Sequence, residues 1–353
     1  MMKGNKMEEL KWYSVDDADF ALDGLYWRKK GGVFRRIPED AFVSERVNAL
    51  ADSMAGVMLR FRSDTATIKL QVKLKIWIES FSSKMPSTAT AGFDLYVGTG
   101  PAKTYFSTSS RKRDAEEFQS VMFGPVQERK MREFTLHFPL WSGIEELKIG
   151  LSPDAEILPP TPWPDPRPIA VYGTSIQQGG CASRPGIAHT NQMSRILNRP
   201  FLNFGFSGSG LGEEEIARVL AEIRDPAMYV LDYDANAGVK GLKNTLSAFI
   251  DILREKHPET PILLVSRVPM ASEWNDPLEY NSTRQELTQI HLGEIARRRA
   301  QNDQRIHFLD GKTLYGPEPS ECSVDGIHAT DLGFYFISRT MAPVIERILS
   351  RQE

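Results

Sequence analysis

At 353 residues the chain is long for a single core, and about two domains are expected. An apolar fraction of 41% and a charged fraction of 25% are ordinary for a soluble globular protein, and a formal net charge of -3 gives no electrostatic footprint for nucleic acid or an anionic membrane. The first ten residues lack the apolar centre of a signal peptide and no run approaches a membrane span, so a cytoplasmic location is expected. The two cysteines, Cys181 and Cys322, lie far apart and outside any metal-type cluster, so neither a disulfide framework nor a zinc site is indicated.

From Trp12 to about Leu151 the dominant hydrophobic period is two. Ile68, Leu70, Val72, Leu74, Ile76 and Ile78 alternate with Thr67, Lys69, Gln71, Lys73 and Lys75, the pattern of a strand with one face on a core and one in water. Phe134, Leu136, Phe138 and Leu140 repeat it, as do Leu147, Ile149 and Leu151, and turn-forming clusters such as residues 80–90 separate them. Only residues 47–58 could hold a short helix. The reading is an antiparallel β-sandwich of jelly-roll type over residues 1–157. Within it, Asp94 breaks the apolar run Ala91-Gly-Phe-Asp-Leu-Tyr-Val97. It is either a turn or bulge residue on a strand edge, or, with Tyr96, it faces the second domain near its site. The cluster Arg111-Lys-Arg113, followed by Asp114, Glu116 and Glu117, reads as a solvated loop.

Residues 158–168 contain six prolines and read as a stiff, extended linker. Beyond it, over residues 169–353, apolar strands alternate with helical segments. Strands are expected at 169–172, 201–206, 228–233, 262–268 and 306–309, and helices at 188–197, 213–223, 242–256, 278–299 and 332–349. This pattern predicts an α/β domain, a flavodoxin-like, doubly wound, five-stranded parallel sheet with right-handed crossovers.

In such sheets ligands bind just beyond the carboxyl ends of the strands. The first strand ends in Gly173 and Thr174 and presents Ser175, whose hydroxyl and backbone N–H can meet one substrate carbonyl. Taken alone, this is also what a plain strand-to-loop turn looks like. After the second strand, Asn203-Phe-Gly-Phe-Ser-Gly-Ser-Gly210 leaves backbone N–H groups for an anion, without the Gly-Lys-Ser/Thr of a phosphate loop. After the third, Asp232-Tyr-Asp-Ala-Asn-Ala-Gly238 offers the side-chain amide of Asn236. Together these strand ends supply three N–H donors around one hydroxyl. Before the last helix, Ser323-Val-Asp-Gly-Ile-His328 places one of six histidines three residues after an acid. Asp325 could hold the His328 tautomer while the other ring nitrogen faces Ser175; a capping aspartate beside an incidental histidine is the competing reading. His189, the rival histidine, has no close carboxylate in sequence.

These residues resemble the SGNH, or GDSL-like, hydrolase family. Its four blocks are matched in order by Tyr172-Gly-Thr-Ser175, Asn203-Phe-Gly-Phe-Ser-Gly208, Asp234-Ala-Asn236 and Asp325-Gly-Ile-His328. Gly92-Phe-Asp-Leu-Tyr96 resembles the Gly-x-Asp-Leu-Tyr motif of the β-domain that precedes one esterase-type branch, and Cys181-Ala-Ser-Arg-Pro-Gly186 is similar to that branch after the nucleophile. The family's Gly-Asp-Ser is Gly-Thr-Ser here, and its Gly-x-Asn-Asp is Asp-Ala-Asn-Ala, which keeps the amide donor but loses the following acid.

The resemblance implies a serine esterase with Ser175 as nucleophile, His328 as base and Asp325 orienting it. The oxyanion hole would be the N–H groups of Ser175 and Gly208 and the Asn236 amide. No metal or organic cofactor is required. Short acyl esters are implied as substrates, with deacetylation of carbohydrate as the first expectation; an acyltransferase using the same acyl-enzyme, and a non-catalytic carbohydrate-binding protein, are the alternatives. Arg184, Arg267 and Trp274 are candidate substrate contacts from their places near strand ends, joined by Asp94 and Tyr96 if the β-domain folds back over the site. A homo-oligomer is left open.

Overall fold

The computed structural model describes residues 9–351 except 18, 76–82, 113–114, 127 and 276; the side chains of residues 274–280 also lie outside the description. The chain builds two antiparallel sheets and then one parallel sheet. In the first antiparallel sheet the strands run in the order Lys11–Ser14, Gly143–Leu151, Ile68–Lys75 and Glu117–Phe123. The second runs Ile157–Leu158, Met58–Ser63, Arg132–His137, Asp94–Val97 and Thr104–Thr108, with Ala21–Asp23 also paired to Met58–Ser63. Ile68, Leu70, Val72 and Leu74 are buried while alternate residues reach towards water, as period two demands. They share one core with Leu59, Phe61, Phe134, Leu136 and Ile149. Ile76 and Ile78 lie outside the described residues.

Strand Arg132–His137 departs from its expected wet face. Thr135 and His137 are buried along with Phe134 and Leu136. The cause is docking of this sheet against the parallel domain. Arg195, on helix His189–Leu197, stacks 4.2 Å over the Tyr96 ring, and its Nη1 lies 3.5 Å from His137 Nε2. The helix expected within 47–58 spans Glu45–Leu50, started by Ser44, whose side chain accepts from the Val47 N–H; Met58 already belongs to a strand.

The proline-rich stretch leaves Ile157–Leu158 extended along the sandwich, where the Arg60 guanidinium stacks 3.9 Å from the Trp163 ring and donates to the Thr161 carbonyl. The parallel sheet then has the order Phe201–Gly205, Ile169–Gly173, Met228–Asp232, Ile262–Val265, Ile306–Leu309. Every residue of the first three of these is buried, because helices cover both faces. Helices His189–Leu197 and Asp331–Ser350 pack on one side, and Glu214–Ala221, Asp234–Lys256 and Pro277–Ala300 on the other. The strand order reverses at Ile169–Gly173, so a cleft is expected at its carboxyl end. The third helix starts earlier than its hydrophobic pattern, at Asp234, and breaks at Gly238 (φ 60°, ψ -176°) into one turn and a long helix.

Arg36 joins the two halves. Only 1% exposed, it donates to the carbonyls of Asn203 and Gly205 in the parallel sheet, at 2.8 and 3.0 Å, and to Leu50 O and Ser53 Oγ, both at 2.8 Å. Burial pulls its guanidinium down to about 9. Arg36→Met leaves buried carbonyls without donors and is expected to cost roughly 3 kcal/mol or more, read as a lowered midpoint in urea denaturation.

Candidate active site

Ser175 is the first residue of a short helix, Ser175–Gln178, entered directly from the first parallel strand. Thr174 caps this helix, accepting from the Ile176 N–H, while Gln177 Oε1 accepts from the Thr174 N–H at 2.8 Å and the Thr174 hydroxyl at 2.9 Å. Gln177 Nε2 in turn donates to Asp232 Oδ2 at 2.6 Å, at the end of the neighbouring strand. Burial, and next the nearby Asp234, push the Asp232 carboxyl well above the usual carboxylate range. A side chain at Gly210 (φ 70°) would come within 2.3 Å of the Gly173 carbonyl, so the glycine-rich loop can close on the strand end only without one.

Ser175, only 6% exposed, places Oγ 2.9 Å from His328 Nε2. His328 Nδ1 lies 2.9 Å from Asp325 Oδ2, and the other carboxylate oxygen accepts the N–H groups of Ile327 at 3.1 Å and His328 at 2.8 Å. The three-residue spacing of Asp325 and His328 thus forms a turn that closes on itself. Lys84, from the β-domain, also reaches Asp325 Oδ2, at 2.6 Å. Burial alone would raise the Asp325 carboxyl, but the His328 N–H, the Lys84 ammonium and the His328 ring hold it well below the usual carboxylate range.

As the first helical residue, Ser175 has an N–H with no intrahelical acceptor. Gly208 is exposed, in a left-handed conformation (φ 67°), and the Arg46 side chain packs on it while Arg46 Nε donates to the Ser207 carbonyl at 3.1 Å. The Asn236 amide donates to the Ser209 carbonyl, tying the third strand end to the second. It is therefore near the glycine-rich loop as expected, but engaged.

Asp94 is fully buried next to a register shift in its strand, and it faces the second domain. Its Oδ2 accepts from Arg184 Nη1 at 2.7 Å and from the Gly186 N–H at 2.8 Å, and Arg184 Nη1 also donates to the Tyr96 hydroxyl at 2.7 Å. Asp94, Tyr96 and Arg184 are thus brought together with the segment that follows the serine. Arg267 is buried, 3.4 Å from Glu273, which also pairs with Arg284. The Trp274 side chain lies outside the described residues. His189 is buried and stacked on Phe334, and burial lowers its ring to about 3, which fits a core histidine. Among the described residues, no group of three or more His, Cys, Asp or Glu side chains could hold a metal ion, and no helix is long and apolar enough to cross a membrane.

Residues 166–346 match the family model described as GDSL-like lipase/acylhydrolase, and residues 10–157 match the one for the N-terminus of SGNH-hydrolase-type esterases. The chain belongs to the GDSL-like lipase/acylhydrolase family and is an ester hydrolase of the SGNH type. Similar solved structures include a Bacteroides ovatus protein assigned as a GDSL-like lipase, 26% identical over 97% of this chain and 98% of that one, with a TM-score of 0.85. A salicylyl-acyltransferase from a tetracycline biosynthetic pathway is 20% identical over 95% of this chain and 97% of its own, with a TM-score of 0.73. An acetyl xylan esterase from the rumen bacterium Butyrivibrio proteoclasticus is 10% identical over 98% and 100%, with a TM-score of 0.63. The latter two share the fold. No curated protein sequence matches the chain.

Asp94→Ala takes the carboxylate acceptor from the half-buried guanidinium of Arg184 and from the buried Gly186 N–H and is expected to cost about 2 kcal/mol. Asp94→Asn, which keeps an acceptor oxygen, should cost less; thermal unfolding of the two variants separates them.

Proposed function

We propose that the protein is a serine esterase acting on short acyl esters, with acetyl groups on carbohydrate as the favoured substrate. The observation that carries the reading is the unbroken chain from Ser175 Oγ through both ring nitrogens of His328 to Asp325, with two contacts of 2.9 Å. Ser175 attacks the acyl carbonyl and His328 Nε2 takes its proton, Asp325 stabilising the imidazolium through Nδ1–H. The oxyanion is met by the N–H groups of Ser175 and Gly208 and by the Asn236 amide once it leaves the Ser209 carbonyl. His328 then protonates the departing alcohol, leaving an acyl-serine. Water attacks this ester as His328 removes its proton, and collapse returns the proton to Ser175 and frees the acid. Buried Asp94 and Tyr96, with Arg184, serve this site by holding the segment after the nucleophile. The likeness to an acetyl xylan esterase supports the acetyl and carbohydrate assignment. An alcohol replacing water would make the same acyl-enzyme an acyltransferase, as in the tetracycline-pathway structure.

Hydrolysis of p-nitrophenyl esters from acetate to octanoate is the test. Acetate should be turned over best, and Ser175→Ala should lower kcat by roughly 10⁴-fold or more. No hydrolysis by the folded wild-type protein, or equal rates in the variant, would overturn the reading; acceleration by an added alcohol would move it to acyl transfer. Asn236→Ala should lower kcat by about 10²-fold to 10³-fold if its amide turns to the oxyanion. Because Asp325 is held ionised to well below its ordinary value of 3.8, its own protonation should add no step to the acid limb of kcat/KM down to pH values near that figure.

A further inference from the structure

The Asp325 carboxylate takes three donors from its own turn and a fourth from the other domain. Its Oδ1 accepts the N–H groups of Ile327 and His328, and its Oδ2 is shared between His328 Nδ1 at 2.9 Å and Lys84 Nζ at 2.6 Å. Lys84 lies 241 positions away in sequence. The chain next to it is anchored: Thr88 Oγ1 donates to the Ser183 carbonyl at 2.7 Å, and the Ala89 and Thr90 carbonyls accept from the N–H groups of Leu140 and Ser142. Met85 and Ala89 are packed into the core cluster that holds Ile176 and Cys181. The ammonium is therefore delivered to the carboxylate by a packed segment.

Among the described residues, the groups facing Asp325 from neighbouring elements are His328, Lys84, Cys181 and Tyr315. Burial raises the Cys181 thiol to about 11 and lifts the Tyr315 phenol above its ordinary value, so both are neutral at neutral pH. Lys84 is thus the standing charge that these groups set against the carboxylate. An ammonium sharing Oδ2 with the imidazole draws off part of the negative charge that would stabilise imidazolium.

Resting on the esterase reading above, we propose that Lys84 is a positioning residue of the site, through which the N-terminal β-domain takes up part of the Asp325 charge that would otherwise stabilise the His328 imidazolium. The Lys84 side chain is 45% exposed, so its effect is screened by salt.

The test compares the full-length wild type with Lys84→Met and Lys84→Arg by two readouts. One is titration of the His328 ring by NMR, its resonance assigned with His328→Gln; the other is the pH profile of kcat/KM on p-nitrophenyl acetate. Lys84→Met should move the ring midpoint and the acid limb to higher pH together, by roughly 0.2 to 0.7 pH unit. Lys84→Arg should restore the wild-type position, and high salt should narrow the gap. Lys84→Gln repeats the comparison should the methionine variant fold poorly. An unmoved His328 midpoint in the folded variants, or an equal shift in Lys84→Arg, would overturn the proposal. Absence of turnover in the wild type would instead sink the esterase reading, and the NMR titration would still decide the role of Lys84.

Discussion

The site depends on how one strand ends. At the end of Ile169–Gly173 the Gly173 carbonyl accepts from the Phe206 N–H, and the helix that follows at once opens with a capping box in which Thr174 and Gln177 bond each other. Gln177 then reaches Asp232 on the next strand, so the turn that presents Ser175 is fixed to the sheet from two directions. The glycine-rich loop closes over the same strand end, and its Gly210 leaves no space for a side chain. With these contacts made, the serine hydroxyl stands at the point where the strand order reverses, which is where open α/β sheets hold their ligands.

The β-domain is bound into this arrangement by an apolar seam, in which Met85, Ala89, Leu140 and Trp141 join the core of Ile176 and Cys181 and Ile37, Val47 and Leu50 that of Tyr172 and Phe206, and by polar contacts that fall around the site. Arg36 satisfies carbonyls of the parallel sheet, Asp94 holds Arg184 and Gly186, Arg46 lies on the Gly208 loop, and Lys84 touches Asp325. Buried ion pairs add little net stability, because desolvation offsets most of the Coulombic gain; their better-attested effect is to fix register. The Asp94–Arg184 pair is of that kind, since its carboxylate also receives a backbone N–H of the segment that follows the proposed nucleophile.

Much of this was legible in the sequence, and the exceptions have physical causes. The parallel strands are continuous apolar runs because both faces are covered, and Ser175, Gly208 and Asn236 after the first three strands, with His328 before the last helix, point to the proposed site without coordinates. Period two led to a false wet face for Arg132–His137, because Thr135 and His137 are hidden by docking against another domain, which periodicity cannot register. Asp94 allowed two readings for the same reason: its partner lies ninety positions away. Gln177 was accessible in principle, since Thr174-Ser-Ile-Gln177 has capping-box spacing. Lys84 and Arg46 had no local signal, because a lysine in a turn-rich stretch and an arginine on a short helix look like ordinary surface residues until the fold brings them to the site.

A serine made nucleophilic by His328 can be trapped covalently. The folded protein would be treated with a fluorophosphonate and the adduct located by peptide mass spectrometry, in the wild type and in His328→Gln. One adduct per chain is expected, on Ser175, formed far more slowly in the variant. An adduct elsewhere, or labelling of Ser175 at the same rate without His328, would contradict the proposed mechanism.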